Sequence, residues 1–161
     1  MPNGAAWGAS PAEAETQAAV AAFLAAHSTL TLATVDAGGQ PMAASLFFVS
    51  DGELRLYWVS SPGSRHSQNL ARQPLAAVTI HNETWSWTEI AGVQMQGEAR
   101  PLPPGPEQQA ALALYLAKFP FAAQFASELA RSDVFCFVPA WVRRIDNGRG
   151  FGHRQELGER R

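Results

Sequence analysis

The sequence predicts a small, mainly β domain: an antiparallel β-barrel decorated by helices. Three observations carry that expectation. Residues 29–35 alternate apolar and polar, the period-2 pattern of a half-buried strand. The links Asp36-Ala37-Gly38-Gly39 and Asp51-Gly52 are too short for a helical crossover, so the runs they join must pair antiparallel. Helical patterning occurs ahead of the first strand and between later ones, not after every strand.

The elements follow in order. Residues 1–9 are small and glycine-containing and read as a frayed, disordered N-terminus. Ser10, Pro11 and Glu13 form a helix start with a capping box, and Val20, Phe23 and Leu24 fall on one face of the helix. Strands are expected at 29–35, 41–49 and 54–60. Ser61-Pro62-Gly63-Ser64 then breaks the chain, and 65–72 reads as a short helix stopped before Pro74. An apolar strand at 75–80, a loop at 81–86 and a long strand at 87–100 follow, with Gly92 and Gly97 marking bulges or close backbone approach. Prolines 101, 103, 104 and 106 separate this half from helices at 107–118 and 121–129. The last strands, 134–138 and 141–145, are expected to be split by Pro139. The barrel domain spans 10–153, and 154–161 reads as a flexible C-terminal tail.

Composition narrows the function. The chain has 161 residues, 47% hydrophobic and 16% charged, which suits one globular domain. The net charge of −2 provides no basic face for nucleic acid, which leaves single-stranded binding by exposed aromatics as the weakest reading. No basic residue precedes Arg55, so no secretory leader is expected. Cys136 is the only cysteine, so no intrachain disulfide or cysteine zinc site can form, and a reducing, cytoplasmic location is expected. The four histidines lie far apart without metal-ligand spacing, so no metal is expected. Gly148-x-Gly150-x-Gly152 lacks the strand–turn–helix setting of a dinucleotide fingerprint, and no Gly-x-Ser-x-Gly elbow is present.

Three segments have chemistry worth testing. At the end of the third strand, Ser60, Ser61 and Ser64 precede a helix that opens with Arg65 and His66. A helix N-terminus presents unpaired N–H groups to an anion, and an arginine fork grips phosphate. The same residues also suit an ordinary capped helix with a solvated arginine. Ala44, Ser45, Leu46 and Phe47 lie on a strand whose small residues admit a planar ring, or simply pack tightly. Trp85 and Trp87 share a face if extended, as do Gln94 and Gln96. They suit an aromatic heterocycle, or the solvated end of a barrel.

With these segments in view, the run TLATVDAGGQPMAASLFFVSDGELRLYWVSSPGSRHSQNLARQPLAAVTI resembles the pyridoxamine 5'-phosphate oxidase-like split-barrel superfamily, a small bacterial branch of it in particular. The later patterns at 87–99 and 145–153 extend the resemblance over 21–153, nearly the whole chain. It implies a six-stranded antiparallel split β-barrel of FMN-binding type with flanking helices. It also implies a homodimer with FMN at the subunit interface and an oxidoreductase role on an unknown small molecule. The alternative is a non-catalytic module on the same barrel, binding flavin or haem. Carried over by position, Ala44, Ser45, Leu46 and Phe47 face the isoalloxazine ring, with Val59 and Ser60 beside it. Arg65 and His66 hold the phosphate, with Ser61 and Asn69 in the same segment; Trp87 is a further cofactor contact, and Gln94 is near, though not at, a strand position used for flavin contact. His66 stands where the family has lysine, residues 42–48 carry no charge, and 141–154 lacks the oxidase's substrate-binding residues. Pyridoxal phosphate synthesis is therefore not implied.

Overall fold

A computed structural model of the protein describes residue 7 and residues 9–159. Its centre is one antiparallel sheet of eight strands that curls into a half-barrel. The strands are β1 (Thr29–Val35), β2 (Pro41–Phe47), β3 (Val49–Ser50), β4 (Leu56–Ser60), β5 (Leu75–His81), β6 (Ala91–Pro101), β7 (Asp133–Asp146) and β8 (Arg154–Gly158). They run in the order β2-β1-β5-β6-β7-β4-β3, with β8 also paired to β7. Four helices flank the sheet: α1 (Pro11–Ala26), α2 (Arg65–Arg72), α3 (Pro106–Lys118) and α4 (Ala126–Leu129).

The capping box at Ser10 and Glu13 forms as expected, with the Ser10 amide 2.9 Å from the Glu13 carboxylate. Helix α1 then lays Val20 and Leu24 on the inner face of the sheet. There they meet Leu30, Leu32, Val78, Ile80, Val93, Met95, Val142 and Leu157, all buried. These are alternate residues of each strand, so the period-2 signal is the core itself. A second, smaller core lies on the opposite face of β4 and β7. Val49, Tyr57, Val134 and Cys136 are covered there by Ala111, Tyr115 and Phe119 of the α3 segment.

The structure departs from the sequence expectations at seven points. Eight strands replace six. The run 41–49 divides at Phe48, whose amide turns to bond the Ser28 carbonyl. Leu54, expected in a strand, sits in a turn at φ 63. The strand expected from Trp87 begins at Ala91, because residues 87–89 form a 3-10 turn. Pro139 does not split the last strand: β7 runs through it with Pro139 paired to Gly97, and the register skips Ala140 as a bulge opposite Gln96 and Gly97. The stretch read as tail also carries β8, with Leu157 buried in the core. Trp7, within the segment expected to fray, packs against that core, while residues 1–6 and 8 lie outside the described residues.

Candidate functional site

The site begins where β4 ends. Ser60 pairs with Asp133 of β7 at the last rung of the ladder, and the chain then turns through 61–64 into α2. Ser61 stabilises the turn: its hydroxyl accepts from the Gly63 amide at 3.2 Å, and its carbonyl accepts from the Ser64 amide at 3.1 Å. Ser64 is the N-cap, accepting from the Ser67 amide at 3.3 Å and donating to the Ser67 hydroxyl at 2.7 Å. The first turn of α2 contains no acidic residue, so beyond the Ser64 cap on the Ser67 amide no carboxylate in that turn competes for its N–H groups.

Arg65 and His66 then go opposite ways. Arg65 is exposed and, among the described residues, forms no ion pair or hydrogen bond. His66 is buried. Its Nε2 lies 2.6 Å from the Ser60 hydroxyl and 3.1 Å from that of Ser64, and burial pushes its pKa below the ordinary histidine value. One turn on, Asn69 donates to the Thr34 hydroxyl at 3.0 Å inside the core, fixing α2 to β1. The seat is therefore a rigid, hydroxyl-lined turn with one free guanidinium on its rim.

Beside it runs β2. Alternation turns Ser45 and Phe47 to the outer face and half-buries Ala44 and Leu46 towards the core. Phe47 ends the strand against Phe119 and Phe121, with ring centroids 5.1 and 5.5 Å away. Val59 lies half-buried on β4, packed against the smaller core. Across the sheet, Ser45 pairs with Thr31, Thr31 with Thr79, Thr79 with Gln94 and Gln94 with Arg143. Ala43, Ala33, Ala77 and Gln96 form the next row. This outer face is low and neutral from β2 to Gln96, so a planar ligand can approach its backbone.

The structure thus gathers Ser60, Ser61, Arg65, His66 and Asn69 around one turn, and places Ala44 to Phe47 and Val59 on adjoining strands. Gln94 lies on the same outer face, three strands away. Trp87 is not brought to the seat: it stands in the turn before β6, with Asn147 donating to its carbonyl at 2.7 Å. Trp85 is 99%, Trp87 74% and Phe151 81% exposed.

Sequence reasoning missed the hydroxyl–imidazole knot of Ser60, Ser64 and His66, because serine caps are too common to announce one. It also missed the three-ring cluster at the end of β2, which joins residues more than 70 positions apart. No group of three metal-ligating side chains forms among the described residues. Cys136 is buried and its thiol is pushed up to about 11 by desolvation, so it is no nucleophile. No helix among the described residues is long and apolar enough to cross a membrane.

Known proteins share this architecture. The UPF0306 protein of Enterobacter sp. (strain 638) is 28% identical over 140 residues, covering 87% of this chain and 94% of that one. A haem-binding protein from Mycobacterium smegmatis superposes with a TM-score of 0.74 at 26% identity, over 88% of this chain and 57% of that chain. HutZ, the haem storage protein of Vibrio cholerae, superposes with a TM-score of 0.66 at 21% identity, over 76% of this chain and 88% of that chain. The family model described as pyridoxamine 5'-phosphate oxidase matches residues 16–146, from α1 through the end of β7, and the chain belongs to that family.

Proposed function

We propose that this chain is a homodimeric, cytoplasmic FMN-binding protein that acts as an oxidoreductase on a small molecule. The observation that supports it most is the seat itself: an acid-free helix N-terminus, a free Arg65 and a strand of small residues beside them. Arg65 and the first N–H groups of α2 hold the phosphate. Ser61, exposed on the turn, adds a hydroxyl. His66 acts behind the rim, through the two hydroxyls it fixes. Backbone groups of residues 44–47 and 59–60 border the ring, and Gln94 offers an uncharged amide on the same face. Bound flavin supplies hydride and electron transfer, and the chain supplies binding, orientation and exclusion of water.

A second reading is a non-catalytic cofactor-binding module, carrying flavin or haem. It is favoured by the haem-binding protein among the solved structures and by the lack of a free acid or base on β2. A spectrum separates flavin from haem, and rapid reduction of the bound flavin by NADH or NADPH, followed by electron transfer to an acceptor, separates the enzyme from the module. The purified protein, titrated with FMN, is expected to show flavin absorbance with quenched fluorescence, and Arg65→Ala to weaken binding by about 1.5–3 kcal/mol, roughly 10- to 150-fold. A Soret band on adding haem, with no response to FMN, overturns the flavin reading.

A further inference from the structure

We propose that His66 selects a doubly charged ligand for the seat: it stays neutral while the seat is empty and takes up a proton when a phosphate monoester, or a like dianion, settles against Arg65. The inference rests on the anion seat of the reading above and names the residue that sets the charge this seat accepts.

The hydrogens of the turn can be counted. The Ser64 hydroxyl donates to Ser67 Oγ at 2.7 Å while it accepts from the Ser67 amide at 3.3 Å. In a neutral imidazole one ring nitrogen carries a hydrogen and the other a lone pair. With the lone pair on Nε2, the Ser60 hydroxyl donates to it across 2.6 Å. Both hydroxyl hydrogens then point into the protein, and the empty seat offers an anion Arg65, Ser61 and the first amides of α2. A proton added to the ring reverses the first bond. Nε2–H now donates to Ser60 Oγ, and Ser60 donates onward to Ser64 Oγ, 3.2 Å away. Ser64 is half-buried where Ser60 is buried, so its own hydrogen is free to swing from Ser67 to the anion.

The proton has a way in. His66 is 9% exposed, and its Nδ1 has no hydrogen-bond partner among the described residues. Among those residues only Trp58 Nε1 and His153 Nε2 are both unpartnered and sealed from solvent, so Nδ1 of His66 meets water. The surrounding charges leave the ring neutral until a ligand arrives. Helix α2 follows β4 and packs on β1 and β6. Strand β1 has no titratable side chain, and Tyr57 of β4 faces the smaller core on the other side of the sheet. Glu98 and Arg100 of β6 are paired with each other at 3.2 Å. That leaves Arg65 and Arg72 on α2 and Asp133, the ladder partner of Ser60, which oppose each other in sign. Burial holds the pKa of the ring below its ordinary value, so the empty seat keeps it uncharged at neutral pH.

This is what a histidine does here that a lysine does not. A permanent cation at this depth is buried without a partner whenever the seat is empty. An imidazole takes the charge only when an anion is present to offset it. A monoanion, such as a sulfonate or a phosphate diester, is matched by Arg65 alone and draws no proton. The seat therefore discriminates by ligand charge.

The test reads the ring directly. The C2–H proton NMR signals of the four histidines of the wild-type protein are titrated from pH 8 to 5, in sodium chloride and in sodium sulfate of equal ionic strength. Sulfate is the probe because it stays doubly charged over this range, whereas a phosphate monoester titrates near pH ~6. His66 is the signal that His66→Gln lacks, or is found by elimination with the same change at His27, His81 and His153. Its titration is expected to move to higher pH in sulfate but not in methyl sulfate. Sulfate affinity is expected to rise about fivefold or more from pH 8 to 6, within the roughly tenfold per pH unit that one linked proton allows. Arg65→Ala is expected to abolish the movement. A His66 titration that sulfate leaves unmoved overturns the proposal. So does a flat affinity over that range, an equal response to methyl sulfate, or a response that survives Arg65→Ala. FMN distinguishes this inference from the reading beneath it. A sulfate response in a protein that takes no FMN keeps the proton-linked seat and sinks the flavin reading. FMN binding with no movement of His66 does the reverse.

Discussion

Gly97→Ala tests the joint on which the half-barrel depends. Gly97 lies on β6 opposite Pro139, where the β6–β7 ladder slips by one residue and skips Ala140. A methyl at this position would stand 2.2 Å from the Val138 carbonyl oxygen, 2.9 Å from Pro139 Cα and 3.0 Å from the Phe137 ring. Side-chain carbons essentially never approach closer than 3.0 Å, so the strands must part by about 0.8 Å. The nearest two atoms are backbone, so no rotamer change relieves the clash. Overpacking of this kind costs about 3 kcal/mol. At about 2–4 °C per kcal/mol for a chain of this size, the melting temperature falls by roughly 6–12 °C. Gly52→Ala is the control, since a methyl there meets nothing within 4 Å, and its effect stays within about 0.5 kcal/mol. Calorimetry or circular dichroism melts of the two variants decide it. A Gly97→Ala protein that melts within about 2 °C of wild type refutes the claim that the bulge is closed to a side chain.

Two further outcomes follow from the packing. His66 has a folded-state pKa held below its unfolded value of 6.5 by burial, so the unfolded chain binds the extra proton. Its contribution to stability is complete above about pH 6.5 and declines as the pH falls from there towards the folded-state value. Denaturant midpoints measured from pH 7.5 to 5 should therefore fall more steeply for wild type than for His66→Gln, and parallel slopes contradict this. Lys118, the only lysine, reaches back to α1, donating to the carbonyls of His27 at 2.6 Å and Leu24 at 3.4 Å with its ammonium 4.5 Å from the Phe48 ring centroid. Lys118→Met strips those last-turn carbonyls of their donor and should lower stability by about 1–3 kcal/mol in a urea titration.

Where the sequence was legible, one local rule acted alone. Thr29–Val35 alternates because one face of β1 is buried in the core and the other is turned outward, and Ser10, Pro11 and Glu13 announce a helix whose cap closes within four residues. The reading failed where a distant contact decided. Pro139 looks like a break, yet Gly97 on the neighbouring strand lets β7 bulge past it. Arg154–Gly158 is short and polar enough to resemble a tail. It is a strand because β7 offers it an edge and Leu157 a place in the core, with Gln155 bonding Thr16 of α1 at 3.2 Å. Trp87 looks like strand by composition, but Asn147, sixty residues away, binds its carbonyl and holds it in a turn. The turn and helix of the seat were legible because serine, glycine and arginine there follow capping chemistry. The inward aim of His66 was not, because it depends on where β4 happens to end.

That inward aim yields a last outcome. Where the family has lysine, the simplest repair of the seat is His66→Lys, adding a second cation beside Arg65. The geometry argues that the repair fails. Position 66 faces the hydroxyls of Ser60 and Ser64 beneath the rim, and Asp133 is the ladder partner of Ser60. A lysine there would bury its ammonium among hydroxyls, at a desolvation cost of several kcal/mol, instead of presenting it to an anion. The variant is expected to lose stability and to bind FMN no more tightly than wild type, with the salt dependence of binding unchanged because the exposed charge is still Arg65 alone. Fluorescence titrations at low and high salt, run beside a thermal melt, measure both. A tenfold gain in affinity with a steeper salt dependence would mean that side chains at position 66 reach the anion directly, and that the hydroxyl–imidazole knot is not what shapes the seat.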